Sequence, residues 1–112
     1  KVNPAMGDYH LKHFMAHVLH FMAIIKNNNL DWDDCMKRIC IGSDFDGLVN
    51  NVWCCMNATE FSKFKHLFES RFMAFAQEAS GKVQLPAGFD VAAFANKLFY
   101  ENGRDYVLAR LA

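Results

Sequence analysis

The sequence lacks several features that mark common functional classes. Its 12 Lys and Arg residues equal its 12 Asp and Glu residues, so no net charge favours nucleic acid or an anionic membrane. Every long apolar stretch is interrupted by His, Lys or Asn, which argues against a membrane span. The four cysteines include no C-x-x-C pair, so a zinc ribbon is not predicted. We expect no nucleic-acid partner, no membrane span, and reduced, partly buried thiols that suit a reducing cytoplasm.

The sequence does contain enough apolar side chains for a folded core. Of its 112 residues, 53% are apolar and eleven are Phe, a composition unlike that of disordered chains. This length corresponds to one domain at most. We therefore treat residues 1–112 as a single domain or as a fragment of a larger one.

Helical periodicity dominates the sequence. In residues 9–26 apolar side chains recur every three or four positions, with Asp8 as the predicted N-cap and three consecutive Asn residues at the end. A second helix is predicted from Thr59 to Ser80, with a stripe of Phe that we expect in the core. Asp90 is predicted to cap a third helix. Asn102–Gly103 should break that helix before a short terminal helix.

Residues 38–42 have a different pattern. Ile39-Cys40-Ile41 is a short, continuously apolar run with β-branched residues, which is typical of a strand covered on both faces. A single strand leaves its backbone groups without partners. Either further strands come from chain outside this sequence, or the strand pairs with a segment whose pattern does not identify it as a strand. The predicted fold class is therefore α/β, mostly helical with one clear strand at 38–42.

An acidic loop follows the predicted strand. Catalytic groups of α/β barrels lie at the carboxyl ends of the strands, where Asp44 and Asp46 would be. The two carboxylates are two positions apart, so only one of them faces a given site if the chain is extended. Gly42 and Gly47 allow tight turns and a close approach of the backbone to a ligand. Ser43 lies in no G-x-S-x-G nucleophile elbow, so it is not predicted to be a nucleophile.

The run Ile39-Cys40-Ile41-Gly42-Ser43-Asp44-Phe45-Asp46-Gly47 resembles the last-strand signature of the membrane dipeptidase (renal dipeptidase, peptidase M19) family of the amidohydrolase superfamily. The stretch Asp8-Tyr9-His10-Leu11-Lys12-His13-Phe14 is similar to the helix that precedes that strand. The resemblance implies the C-terminal segment of a TIM-type (β/α)8 barrel that hydrolyses dipeptides with metal-bound hydroxide at a two-zinc centre. It also implies that Asp44 is catalytic, beside the metal-bound water or the substrate amine. Structural support would come from Gly42, Ser43, Asp46 and Gly47.

The metal ligands of that family are not found in this sequence. No His-x-Asp occurs here, and the family's bridging Glu and later histidines belong to chain upstream of the similar region. A whole barrel takes about 250 residues. We therefore expect an incomplete active site and no zinc in the isolated chain. Its expected partners are the remainder of the barrel or a second copy, and the complete enzyme would act on a small peptide.

A row of histidines on the first predicted helix is a further candidate site. His10, His13, His17 and His20 step by three, four and three residues, and two His at i and i+4 can bind one metal ion. We interpret the row as a helix face that is exposed or contacts other chain, since a metal needs further ligands. A metal site at His10, His13 and His17 is the alternative.

A different functional class also fits the sequence. The chain could be a non-catalytic helical fragment, or a degenerate relative, that serves as a structural or interaction module. The missing metal ligands favour this description for the isolated chain, which we expect to be inactive.

Overall fold

Helices make up most of the chain. The computed structural model describes residues 4–42, 51–52, 54–78 and 84–111. Helix α1 spans Pro4–Asn27 and α2 spans Trp32–Met36. A 3₁₀ turn, Ala58–Glu60, leads into α3, which spans Phe61–Glu78. Helix α4, Val91–Asn96, continues through a π-helical turn, Lys97–Glu101, into α5, Asn102–Leu111.

The prediction of a strand at 38–42 is wrong. The predicted α/β fold class and the predicted barrel segment are therefore wrong as well. These residues form no strand, and no strand occurs elsewhere in the described ranges. A side chain holds the backbone here, because Nδ2 of Asn102 donates to the carbonyl oxygen of Ile39 at 2.8 Å. Ile39 and Ile41 are half-buried against the helical core, whereas Cys40 and Gly42 are exposed. The apolar run is therefore a connection packed on helices.

Helix α1 begins earlier than the predicted start at residue 9. Asp8 lies inside the helix and is not its N-cap. Its carboxylate instead forms ion pairs with Lys12 one turn along the helix and with Arg71 of α3. The predicted end is confirmed: the helix stops at Asn27, and Asn29 adopts a left-handed conformation with φ 51°. Asn tolerates this region better than most residues.

Two aspartates cap the helices that follow loops. The side chain of Asp90 accepts a hydrogen bond from the backbone N–H of Ala93 at 3.1 Å, which confirms the predicted cap of α4. Asp31 accepts from the N–H of Asp34 at 2.9 Å and caps α2 in the same way. Each cap satisfies a backbone donor that has no partner within the helix.

The stripe of Phe on α3 lies in the core, as predicted. Phe64, Phe68 and Phe72 are buried, and the rings of Phe68 and Phe72 stack with centroids 4.8 Å apart. Phe14 of α1 meets Phe64 edge-on at 4.9 Å, a favoured arrangement of aromatic pairs. We call the connected rings the phenylalanine cluster: Phe14, Phe61, Phe64, Phe68, Phe72, Phe89, Phe94 and Phe99.

The predicted helix break at Asn102–Gly103 is wrong, since the helix runs without interruption from Val91 to Leu111. Asn102 is 7% exposed, and its side chain donates to the carbonyl oxygens of Met36 and Ile39. That amide is therefore engaged with distant backbone and does not compete with the helix itself. A π turn inserts one extra residue into a helix. The π turn at Lys97–Glu101 directly precedes Asn102, and so it determines the face of the helix on which Asn102 lies.

The hydrogen bonds of Asn102 can be tested by the change Asn102→Leu. It should lower the free energy of unfolding by about 1–3 kcal/mol, because two carbonyl groups lose their buried partner. Urea unfolding followed by circular dichroism measures this change. Asn96→Leu is the matched control, since Asn96 is exposed on the same helix, and it should change stability by no more than about 0.5 kcal/mol. Equal effects of the two substitutions would show that the Asn102 contacts contribute little.

Candidate functional site

The segment that leads to the acidic loop is fixed at one end. Met36 closes α2, and its carbonyl oxygen accepts from Nδ2 of Asn102 at 2.7 Å. The next apolar residues, Ile39 and Ile41, pack on the core. Gly42, the last residue described before the loop, is exposed. The chain therefore reaches the surface at the point where the predicted catalytic loop begins.

An apolar pocket of about 340 Å³ lies beside this segment. Its volume falls within the range of roughly 300–1,000 Å³ that small-molecule sites occupy. Cys40 and Ile41 form one wall, and the start of α3 and the π-helical turn form the others. The pocket could hold an apolar side chain of a small ligand. The remaining lining residues are Ala58, Phe61, Leu98, Phe99, Tyr100 and Gly103.

Sequence reasoning did not identify this pocket. The Phe stripe of the second predicted helix, which includes Phe61, is predicted to lie in the core, and the sequence pattern gives no sign that it approaches residues 40–41. Helical periodicity indicates which side chains face inward, but not which part of another helix they meet. Gly103 was predicted to be a helix breaker, although it is helical and lines the pocket.

Most of the predicted catalytic loop lies outside the described residues. This applies to Ser43, Asp44, Asp46 and Gly47, whose roles stay predictions. Gly42 is described: a Cβ added there would meet no atom of the described residues within 4 Å. The described part of the structure therefore gives no steric reason for glycine at this position.

The histidines of α1 lie along one side of the helix. His13, His17 and His20 are exposed, and His10 is half-buried. The ring of Tyr9 contacts that of His13 edge-on with centroids 4.3 Å apart. Within the described ranges, no three His, Cys, Asp or Glu side chains converge as a metal site of three protein ligands requires. The described residues therefore do not fit a two-zinc centre.

The four cysteines are free thiols. Burial raises the pKa of the Cys54 thiol from 9.0 to about 11; a backbone hydrogen bond opposes this shift, and the charges of Cys55 and Glu60 add to it. Burial, followed by the charge of Glu60, also raises the pKa of Cys55. Because the thiolate is the reactive and metal-binding form, neither residue has the properties of an activated nucleophile at neutral pH.

Comparison with models of protein families, with curated proteins and with solved structures gives no match for this chain. The described helices include none with the length and apolarity to cross a membrane, in agreement with the prediction of no membrane span.

The thiol environments predict an order of alkylation. Cys40 is exposed and should react first with iodoacetamide at pH 8. Cys54 should react much more slowly than Cys40, because a pKa near 11 instead of 9.0 leaves about 100-fold less thiolate at that pH. Its rate should therefore keep rising with pH up to about 11. Mass spectrometry of quenched samples measures both rates, with Cys40→Ser as the control that removes the fast product. Rapid modification of Cys54 at pH 8 would contradict the raised pKa of its thiol.

Proposed function

We propose that this chain is the carboxylate-bearing part of a metal-dependent hydrolase of the dipeptidase type, which acts on small peptides. Asp44 supplies the carboxylate, which orients the ammonium group of the peptide or takes part in proton transfer. The apolar pocket receives an apolar side chain of the same peptide. Support comes from the likeness at residues 39–47 and from one structural observation, the anchored segment 39–42 beside the pocket.

The proposed peptide site combines the pocket with a carboxylate from the loop that follows it in the sequence. Ile41 lines the pocket, and Asp44 comes three residues later in the sequence. In the proposed complex, the pocket receives the apolar side chain of a dipeptide and Asp44 binds its ammonium group.

The two zinc ions of the proposed complete enzyme are assigned to ligands outside the described residues. The described side chains do not form a group of three or more metal ligands. The contribution of this chain is binding through the pocket and orientation or proton transfer through Asp44.

The alternative is a non-catalytic helical module that binds a second copy of the chain. Helix α5 favours it, because Val107, Leu108 and Leu111 are 52%, 57% and 78% exposed and lie on neighbouring helical positions. Exposed apolar side chains that cluster in this way often mark contact surfaces. Under this alternative, Asp44 has no catalytic role and its substitution has no effect on dipeptide hydrolysis.

The central test is Asp44→Asn in the full-length gene product. We expect kcat/KM for apolar dipeptides to fall by about 10²–10⁴-fold, the usual contribution of a positioned acid–base group, with the bound metal content unchanged. Metal analysis and a dipeptide hydrolysis assay measure the two quantities. Asp33→Asn is the control, because Asp33 is exposed on α2 and is not among the described residues that line the pocket, and it should keep full activity. Unchanged activity of Asp44→Asn would exclude the proposed role.

Peptide binding in the pocket can be tested with a substitution on α5 that fills the pocket. Gly103→Leu places a side chain at a pocket position where an added Cβ meets nothing within 4 Å among the described residues. Leu should also stabilise the helix relative to Gly, by up to about 1 kcal/mol. We expect KM to rise for dipeptides with large apolar side chains and to stay constant for Gly-Gly. Gly103→Ala, with a similar gain in helix stability, should leave both KM values near those of the parent. An equal KM change for the two dipeptides would argue against side-chain binding in this pocket.

A further inference from the structure

A pair of histidines on α1 has the spacing of a metal-chelating pair. His13 and His17 are four residues apart on a helix, and both are exposed. At 3.6 residues per turn, positions i and i+4 are about 40° apart around the axis, whereas i and i+3 are about 60° apart. The two imidazoles therefore project from successive turns in nearly the same direction.

The neighbouring charges leave this face open to a cation. Lys12, the nearest basic residue in sequence, lies about 100° from His13 around the helix. Its ammonium group is 3.6 Å from the carboxylate of Asp8. Lys12 therefore adds little repulsion to a cation held between the two histidines.

The flanking histidines extend the row without completing a larger site. His10 is half-buried and lies beside Tyr9, with centroids 6.2 Å apart. His20 is exposed three residues after His17. Among the described residues no group of three ligands is formed. Two protein ligands leave the other coordination positions of an ion to water.

We propose that His13 and His17 form a surface site for one divalent transition-metal ion, such as Zn²⁺ or Ni²⁺, with water as the remaining ligands. Imidazole nitrogen is a preferred ligand of these ions. An ion that bridges two turns binds only the helical form of α1, so it stabilises the folded chain by mass action. This site is independent of the hydrolase proposal, since it uses neither Asp44 nor the apolar pocket.

The test is thermal unfolding of the chain with and without Ni²⁺. At an ion concentration about tenfold above the dissociation constant, the midpoint should rise by roughly 5 °C or more. His13→Gln and His17→Gln should each remove most of this rise, because one imidazole binds far more weakly than two. His20→Gln is the matched control: it lies on the same helix face, is equally exposed, and should keep the rise. Midpoints measured without metal show whether each variant folds normally.

Three results would overturn the proposal. The first is the absence of any metal-dependent rise in the parent chain. The second is a rise that His13→Gln and His17→Gln retain, which would assign the ion to other ligands such as the cysteines. A rise that falls equally in all three variants would also contradict a site formed by this pair, because it would indicate weak binding along the whole row.

Discussion

The hydrogen bonds of Asn102 hold the end of α2 and the connection that follows it against the C-terminal helix. Its side-chain amide reaches Met36 and Ile39, which are 66 and 63 residues away in sequence. Met36 is the last residue of α2, and Ile39 is the first apolar residue of the connection that follows. A single buried side chain therefore fixes both segments. A buried polar group that loses its partner costs about 1–3 kcal/mol. The pocket wall at Cys40 and Ile41, and the exit of the chain at Gly42, depend on this contact.

The phenylalanine cluster packs next to Asn102 and helps to hold its side chain in position. Phe99 precedes Asn102 by three residues, and its ring meets Phe61 and Phe64 of α3 with centroids 5.2 and 5.4 Å apart. The π-helical turn carries Phe99 and Tyr100, so it holds the core on one side and lines the pocket on the other. Packing of large aromatic side chains therefore positions the pocket, because two of its lining residues, Phe61 and Phe99, belong to the phenylalanine cluster.

Local sequence signals predicted the parts of the fold that local physics controls. The period of α1 and α3, the cap at Asp90 and the left-handed Asn29 depend on neighbouring residues only. The run Ile39–Ile41 was wrongly predicted to be a strand, because a short apolar stretch packed on helices has the same pattern as a buried strand. Asn102 was wrongly predicted to break the helix, because the carbonyl groups that its side chain binds are distant in sequence. For the candidate site, Asp44 came from its place after the wrongly predicted strand and from the family resemblance, whereas the pocket emerges only from the packing of three separate segments.

The most direct measurement is solution NMR of the isotopically labelled chain, aimed at the Asn102 side chain. We expect scalar couplings across hydrogen bonds from Nδ2 of Asn102 to the carbonyl carbons of Met36 and Ile39, and slow exchange of its amide protons with water. Residues 38–42 should show no cross-strand contacts. A rapidly exchanging Asn102 amide, together with strand-type contacts at 38–42, would contradict a helical core that holds this segment through Asn102.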